Sequence, residues 1–136
     1  MDGDLVTGPL PWTCERGEDR LAVRLELLDR GRDLLLLIGG GAVHVGAVAV
    51  AATAGGTAGE PCDELAVVPG HKEGPLAREG ARRLAAASGR TCVAVAGIHQ
   101  DRATAAEIAA IVGHARDALQ TMADALARRR LEEGRP

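Results

Sequence analysis

Apolar Leu21, Val23, Leu25 and Leu27 alternate with charged Arg24 and Glu26, the two-residue period of a strand with one solvated face. Arg30-Gly31-Arg32-Asp33 marks a turn, and Leu34 to Ile38 is then apolar without a break, as in a central strand, before Gly39-Gly40-Gly41. A further strand is predicted from Val43 to about Ala52, closed by the Gly- and Thr-rich stretch 53–59. This half of the chain reads as a β-meander. Beyond it Leu65-Ala66-Val67-Val68 is a short strand that Pro69-Gly70 stops, and Gly74-Pro75 opens a helix running to about Ser88-Gly89. That helix carries Leu76, Ala77, Gly80, Ala81, Leu84 and Ala85 at helical spacing. Cys92 to Ala96 follows as a strand, so strand, helix and strand form a βαβ unit with parallel strands. Thr104 and Glu107 make a capping box, and the apolar face from Ile108 to Leu126 predicts a final helix over roughly 104–131.

Residues 1–19 carry Pro9, Pro11 and several acidic residues without a period, which predicts a flexible N-terminal arm with Trp12 as its pin. Residues 20–131 read as one domain and 132–136 as a tail. The expected fold class is α+β, an α/β sandwich with a mostly antiparallel sheet. Its order along the chain is β-β-β-β-α-β-α, with both helices packed on one face.

Composition narrows the function. The chain has 136 residues, 46% hydrophobic and 26% charged, which is globular rather than disordered, and no apolar run reaches the roughly 18 residues of a membrane span. Trp12 is the only Phe, Trp or Tyr, so a planar ligand must be held with little aromatic stacking. A net charge of −3 supplies no field for nucleic acid or anionic lipid. Met1-Asp2-Gly3-Asp4 lacks the basic and apolar regions of a signal peptide, so a cytoplasmic protein is expected. Cys14, Cys62 and Cys92, an odd number with no CxxC spacing, suggest neither a disulfide framework nor a zinc knuckle.

Three histidines lie in Gly-framed segments: Gly40-Gly41-Ala42-Val43-His44-Val45-Gly46, Pro69-Gly70-His71-Lys72-Glu73-Gly74 and Gly97-Ile98-His99-Gln100-Asp101. His71 and His99 follow the carboxyl ends of two parallel strands, where α/β crevices form. If 43–52 and 65–68 pair antiparallel, His44 joins them at that edge. Two of these loops enter helix N-termini, which favour phosphate or carboxylate, and Lys72 strengthens the first. The loop 70–74 is not a GxxxxGK[ST] loop, and Gly40 and Gly41 permit close backbone approach or simply turn the chain. His44, His71 and His99 are also candidate ligands of a divalent metal, although no compact motif such as HExxH is present. Asp101 and Glu73 each stand where they orient a neighbouring histidine or serve as a helix-start charge. The only serine is Ser88, at a helix end, and no Gly-x-Ser-x-Gly elbow exists, which excludes a serine hydrolase. From these residues alone the reading stops at a site for an anionic ligand.

The ordered strings His44-Val45-Gly46-Ala47-Val48-Ala49, Val68-Pro69-Gly70-His71-Lys72-Glu73 and Ala96-Gly97-Ile98-His99-Gln100-Asp101 resemble the small LpdD-like prenylated-flavin chaperones over about residues 20–125. These include the D subunit associated with gallate and hydroxyarylic-acid decarboxylases, with a fold similar to proteasome-assembly chaperones. The resemblance implies a non-enzymatic accessory protein that binds prenylated FMN and assists its delivery to, or maturation in, a UbiD-type decarboxylase. With it, the 5′-phosphate falls to the helix start at Gly70–Gly74 and the histidines to the phosphate, a metal or the ring edge. Taken with the reading of the residues above, the candidate cofactor contacts are Gly40, Gly41, His44, Gly70, His71, Lys72, His99 and Asp101. Two alternatives stand beside it. One is a metal-dependent hydrolase or lyase with His44, His71 and His99 on the ion; the other is an assembly chaperone without cofactor. A homo-oligomer, most simply a two-fold dimer, is expected, and nucleic-acid or membrane partners are not.

Overall fold

The computed structural model describes residues 3–52 and 62–134. In chain order they form β1 (Gly3–Leu5), β2 (Trp12–Arg16), a 3-10 turn (Asp19–Leu21), β3 (Val23–Arg30), β4 (Asp33–Gly41), β5 (Ala47–Ala52), β6 (Cys62–Val67), α1 (Gly74–Ser88), β7 (Cys92–His99) and α2 (Ala105–Glu132). One sheet runs in the order β1-β2-β3-β4-β7-β5-β6. Only β4 and β7 pair in parallel; every other neighbour is antiparallel. The expected α+β class with a mostly antiparallel sheet is therefore what the chain adopts.

The two-residue period decides which face is buried. Val23, Leu25 and Leu27 of β3, Leu34, Leu36 and Ile38 of β4, Cys92, Ala94 and Ala96 of β7, and Ala47, Ala49 and Ala51 of β5 are all buried. Helix α1 packs over β4 to β7 and α2 over β2 and β3, so both helices cover the same face. Small residues let α1 settle close to the sheet: a Cβ on Gly80 would stand 2.9 Å from Leu36 Cδ2. Close approach, rather than aromatic bulk, fills this core. On the other face the rows Leu37-Val95-Val48 and Leu35-Val93-Val50 lie in register, and among the described residues no layer covers them.

The structure corrects two sequence expectations. The segment read as an arm contributes β1 and β2 instead, and Trp12 and Cys14 are core residues. What drives this is a buried guanidinium. Arg16 is held by Asp4, by Asp117 of α2 at 2.5 Å and by Thr121 Oγ1 at 2.9 Å, which ties the first two strands to the last helix. The same guanidinium holds the Asp4 carboxyl below the usual carboxylate range. The period was missed because three alternating residues among prolines and charges leave little pattern to read.

The second correction concerns the meander. Strand β5 does not lie beside β4, because β7 is inserted between them. Residues 42–46 therefore cross over the carboxyl end of β7, stitched to it by Ala42 N–H donating to the His99 carbonyl and Gly46 N–H donating to the Ala96 carbonyl, both at 2.9 Å. Gly97 makes the crossing possible, since a Cβ there would overlap the His44 carbonyl oxygen. The strands flanking α1, β6 and β7, are both antiparallel to β5 and hence parallel to each other, as expected, with β5 between them.

Candidate functional site

Three loops meet at the carboxyl end of β7. The crossing loop brings His44, and the Pro69-Gly70 turn, closed by His71 N–H donating to the Val68 carbonyl at 3.0 Å, brings His71. Val68 N–H donates in turn to the Gly46 carbonyl at 2.8 Å and joins the two loops. His99 is the last residue of β7. The deduction that the three histidines share one edge follows from the antiparallel β5–β6 pair, which the structure contains.

Within this edge the closest grouping is His44, His71 and Glu73, whose potential ligand atoms lie within 4.8 Å of one another. His44 Nε2 stands 3.1 Å from His71 Nδ1. The Glu73 carboxylate is 3.4 Å from His44 Nε2 and 3.5 Å from His71 Nδ1. His99 stands apart from the group, its ring centroid 6.5 Å from that of His44 and its Nε2 2.9 Å from Asp101 Oδ1. Glu73, read from sequence as an orienting or helix-start carboxylate, is thus the third member of the cluster. Gly46 makes room for it: a Cβ there would overlap Glu73 Oε2.

Beside the cluster, between the starts of α1 and α2, opens a crevice of about 460 Å³. Its apolar wall is Leu76, Ile98, Ile108, Ile111 and Val112; its polar rim includes His71, Lys72, Glu73, His99 and Gln100. Lys72 is the only lysine of the chain and is exposed. The two helix starts differ in what they leave free. At α2 the capping box is complete, with Glu107 N–H donating to Thr104 Oγ1 at 3.1 Å and Thr104 N–H donating to Glu107 Oε1 at 3.0 Å. At α1 no side chain caps the first turn, and Pro75 occupies it. The start of α1, whose N-cap Glu73 makes no side-chain capping bond, therefore sets the positive end of the helix dipole beside the crevice.

The remaining sequence candidates are placed differently. Gly70 lies in the exposed turn and lines the crevice. Gly40 is buried at the end of β4 with the Ala22 carbonyl against it, Gly41 turns the chain at φ +60°, and neither lines the crevice. Asp101 is exposed and touches the site through His99. The apolar wall was not singled out from sequence, because Ile108, Ile111 and Val112 read equally well as the core face of α2. Only Ile111 of the three is buried. Burial pushes the Cys92 thiol up to about 12 and the Cys14 thiol also to about 12. Ser88 is buried, with its hydroxyl donating to the Leu84 carbonyl at 2.7 Å.

A two-layer α+β domain with an apolar crevice, a polar rim that carries Lys72 and two histidines, and a helix start at its mouth has the make-up of a binding domain for an amphipathic ligand. The model of the prenylated flavin chaperone LpdD-like domain matches residues 17–127, and the chain belongs to that family. The family's description names both a ligand class, a prenylated flavin, and a chaperone role that requires a recipient protein. No curated protein matches the chain. No helix among the described residues is long and apolar enough to cross a membrane.

Proposed function

We propose that this protein binds prenylated FMN in the crevice between α1 and α2 and carries it, without turning it over, to a UbiD-type decarboxylase in the cytoplasm. The observation that carries the reading is the pairing of an uncapped helix start with an apolar wall in one crevice of about 460 Å³. That volume falls within the range of about 300–1,000 Å³ usual for small-molecule sites. His71, Lys72 and the first turn of α1 would hold the 5′-phosphate. Leu76, Ile98, Ile108, Ile111 and Val112 would take the tricyclic ring and its added hydrocarbon, and His44 and His99 stand at the open edge. Aliphatic rather than aromatic walls hold a flavin by area alone, which suits a carrier that must release its cargo.

The assembly reading keeps one specific support: the uncovered rows Leu37-Val95-Val48 and Leu35-Val93-Val50. An apolar sheet face of this kind, here flanked by Glu26 beside Leu37 and Glu64 beside Val50, is covered by another protein surface in most folds, and the dimer in this reading is formed there by a second copy of the chain.

The test is delivery. Protein loaded with prenylated FMN is mixed with an apo UbiD-type decarboxylase, and turnover is compared with that after adding the same amount of free cofactor. Faster or fuller activation from the loaded protein, lost in the His71→Ala/Lys72→Ala variant, is expected. Equal activation from free and carried cofactor would remove the chaperone role.

A further inference from the structure

We propose that His44, His71 and Glu73 bind one divalent transition-metal ion of the zinc class, leaving open coordination toward the crevice for an anionic oxygen. This inference stands on the cluster itself and does not require the flavin reading.

Three observations converge. First, the separations suit an ion. Tetrahedral zinc with bonds of about 2.0–2.1 Å places neighbouring donor atoms roughly 3.3 Å apart. The two imidazole nitrogens here are 3.1 Å apart; Glu73 turns one oxygen to each, Oε1 at 3.4 Å from His44 Nε2 and Oε2 at 3.5 Å from His71 Nδ1, and with a single carboxylate oxygen as donor the three atoms lie within 4.8 Å of one another. Second, one ligand is already oriented as metal-bound histidines are. His44 Nδ1 is 2.9 Å from the Ala42 carbonyl, which can only accept, so Nδ1 carries the proton and Nε2 turns its lone pair toward the cluster. Third, Glu73 Oε2 is buried and has no hydrogen-bond partner among the described residues. A buried carboxylate oxygen is ordinarily satisfied, and a cation between the carboxylate and the two imidazoles supplies the missing partner.

The donor set also selects the ion. Two imidazoles and one carboxylate suit zinc, cobalt, nickel or ferrous iron rather than magnesium or calcium, which take oxygen ligands, or cuprous copper, which takes sulfur. Three protein ligands leave at least one position for water or substrate oxygen. His71 and Glu73 both line the crevice, so that position opens where the proposed flavin phosphate would lie. The ion would also offset the Glu73 charge, which otherwise stands at the mouth of an anion site.

The experiment uses the full chain, stripped of metal and free of flavin, titrated with Zn²⁺ by calorimetry and with Co²⁺ by visible absorption. One ion per chain is expected. His44→Ala, His71→Ala and Glu73→Gln should each weaken binding by at least about tenfold, while His99→Ala keeps the wild-type affinity. Gly46→Ala provides a second route that retains all three ligands: its Cβ displaces the Glu73 carboxylate, and affinity should fall although the fold, checked by circular dichroism, is intact. Substoichiometric uptake by the wild type, a Glu73→Gln variant that binds like the wild type, or loss of binding in His99→Ala would each overturn the assignment. Flavin retention measured separately on metal-free protein keeps this result distinct from that of the proposed cargo.

Discussion

Gly97→Ala and Gly113→Ala add the same methyl group to the same protein and should move its stability in opposite directions. At position 97 the new Cβ would overlap the His44 carbonyl oxygen, so the crossing loop must lift from β7. The cost is set by the two bonds that stitch it down, Ala42 N–H to the His99 carbonyl and Gly46 N–H to the Ala96 carbonyl, each 2.9 Å. Each is worth about 0.5–1.5 kcal/mol net, so the loss is about 1–3 kcal/mol. For a chain of this length that lowers Tm by roughly 5–10 °C. At position 113, inside α2, nothing lies within 4 Å of an added Cβ. Alanine there gains helix propensity of about 0.5–1 kcal/mol and raises Tm by a few degrees. Thermal denaturation followed by circular dichroism reads both. A Gly97→Ala melt indistinguishable from wild type would refute the argument that residues 42–46 are held over β7 by the absence of a side chain, and a Gly113→Ala melt below wild type would refute the claim that position 113 has open space around it.

Alkaline pH should unfold the protein through its thiols. Burial raises the Cys92 thiol from 9.0 to about 12, so above pH 9 the unfolded chain ionises while the folded chain does not. Stability is thus full below pH 9 and falls between pH 9 and 12 by on the order of 1 kcal/mol per pH unit; urea midpoints in Cys92→Ala should lose part of that dependence. Because Lys72 is the only lysine, acylation detected by peptide mass spectrometry reports on the crevice mouth, and prenylated FMN should slow labelling of Lys72 several-fold without affecting the N-terminal amine. Charge placed on the open sheet face, as in Leu35→Glu or Val50→Glu, should convert a dimer to monomer in light scattering while leaving the far-ultraviolet spectrum unchanged; a dimer that persists would place the interface elsewhere.

Much of the fold was legible because its periods are clean. Leu25, Leu27, Leu34 and Leu36 announce one buried face, and Thr104 with Glu107 announces the start of α2 at the residue where it begins. Strand order was less so, since periodicity says which face a residue takes but not which neighbour it has. The insertion of β7 between β4 and β5 depends on Gly97 and on two loop hydrogen bonds, which leave only a glycine as trace. The site shows the same division. His44 and His71 were placed together by topology from their positions at strand ends. Glu73 was harder to rank, because its role comes from the room Gly46 leaves and from a burial that spacing does not encode. Trp12 and Arg16 were obscured for another reason. Arg16 is buried where Asp4 of β1 and Asp117 and Thr121, one turn apart on α2, converge on it from opposite ends of the chain.

The central claim, that the crevice at the start of α1 holds prenylated FMN, is tested most directly by titrating the purified protein with reduced prenylated FMN and, separately, with FMN, then desalting and reading absorbance. Stoichiometric retention of the prenylated flavin is expected, with weaker retention of FMN because FMN lacks the added hydrocarbon that the apolar wall would take. Retention should be lost in His71→Ala/Lys72→Ala and in Ile108→Asp. No retention by the wild-type protein, or retention unchanged in both variants, would contradict the account.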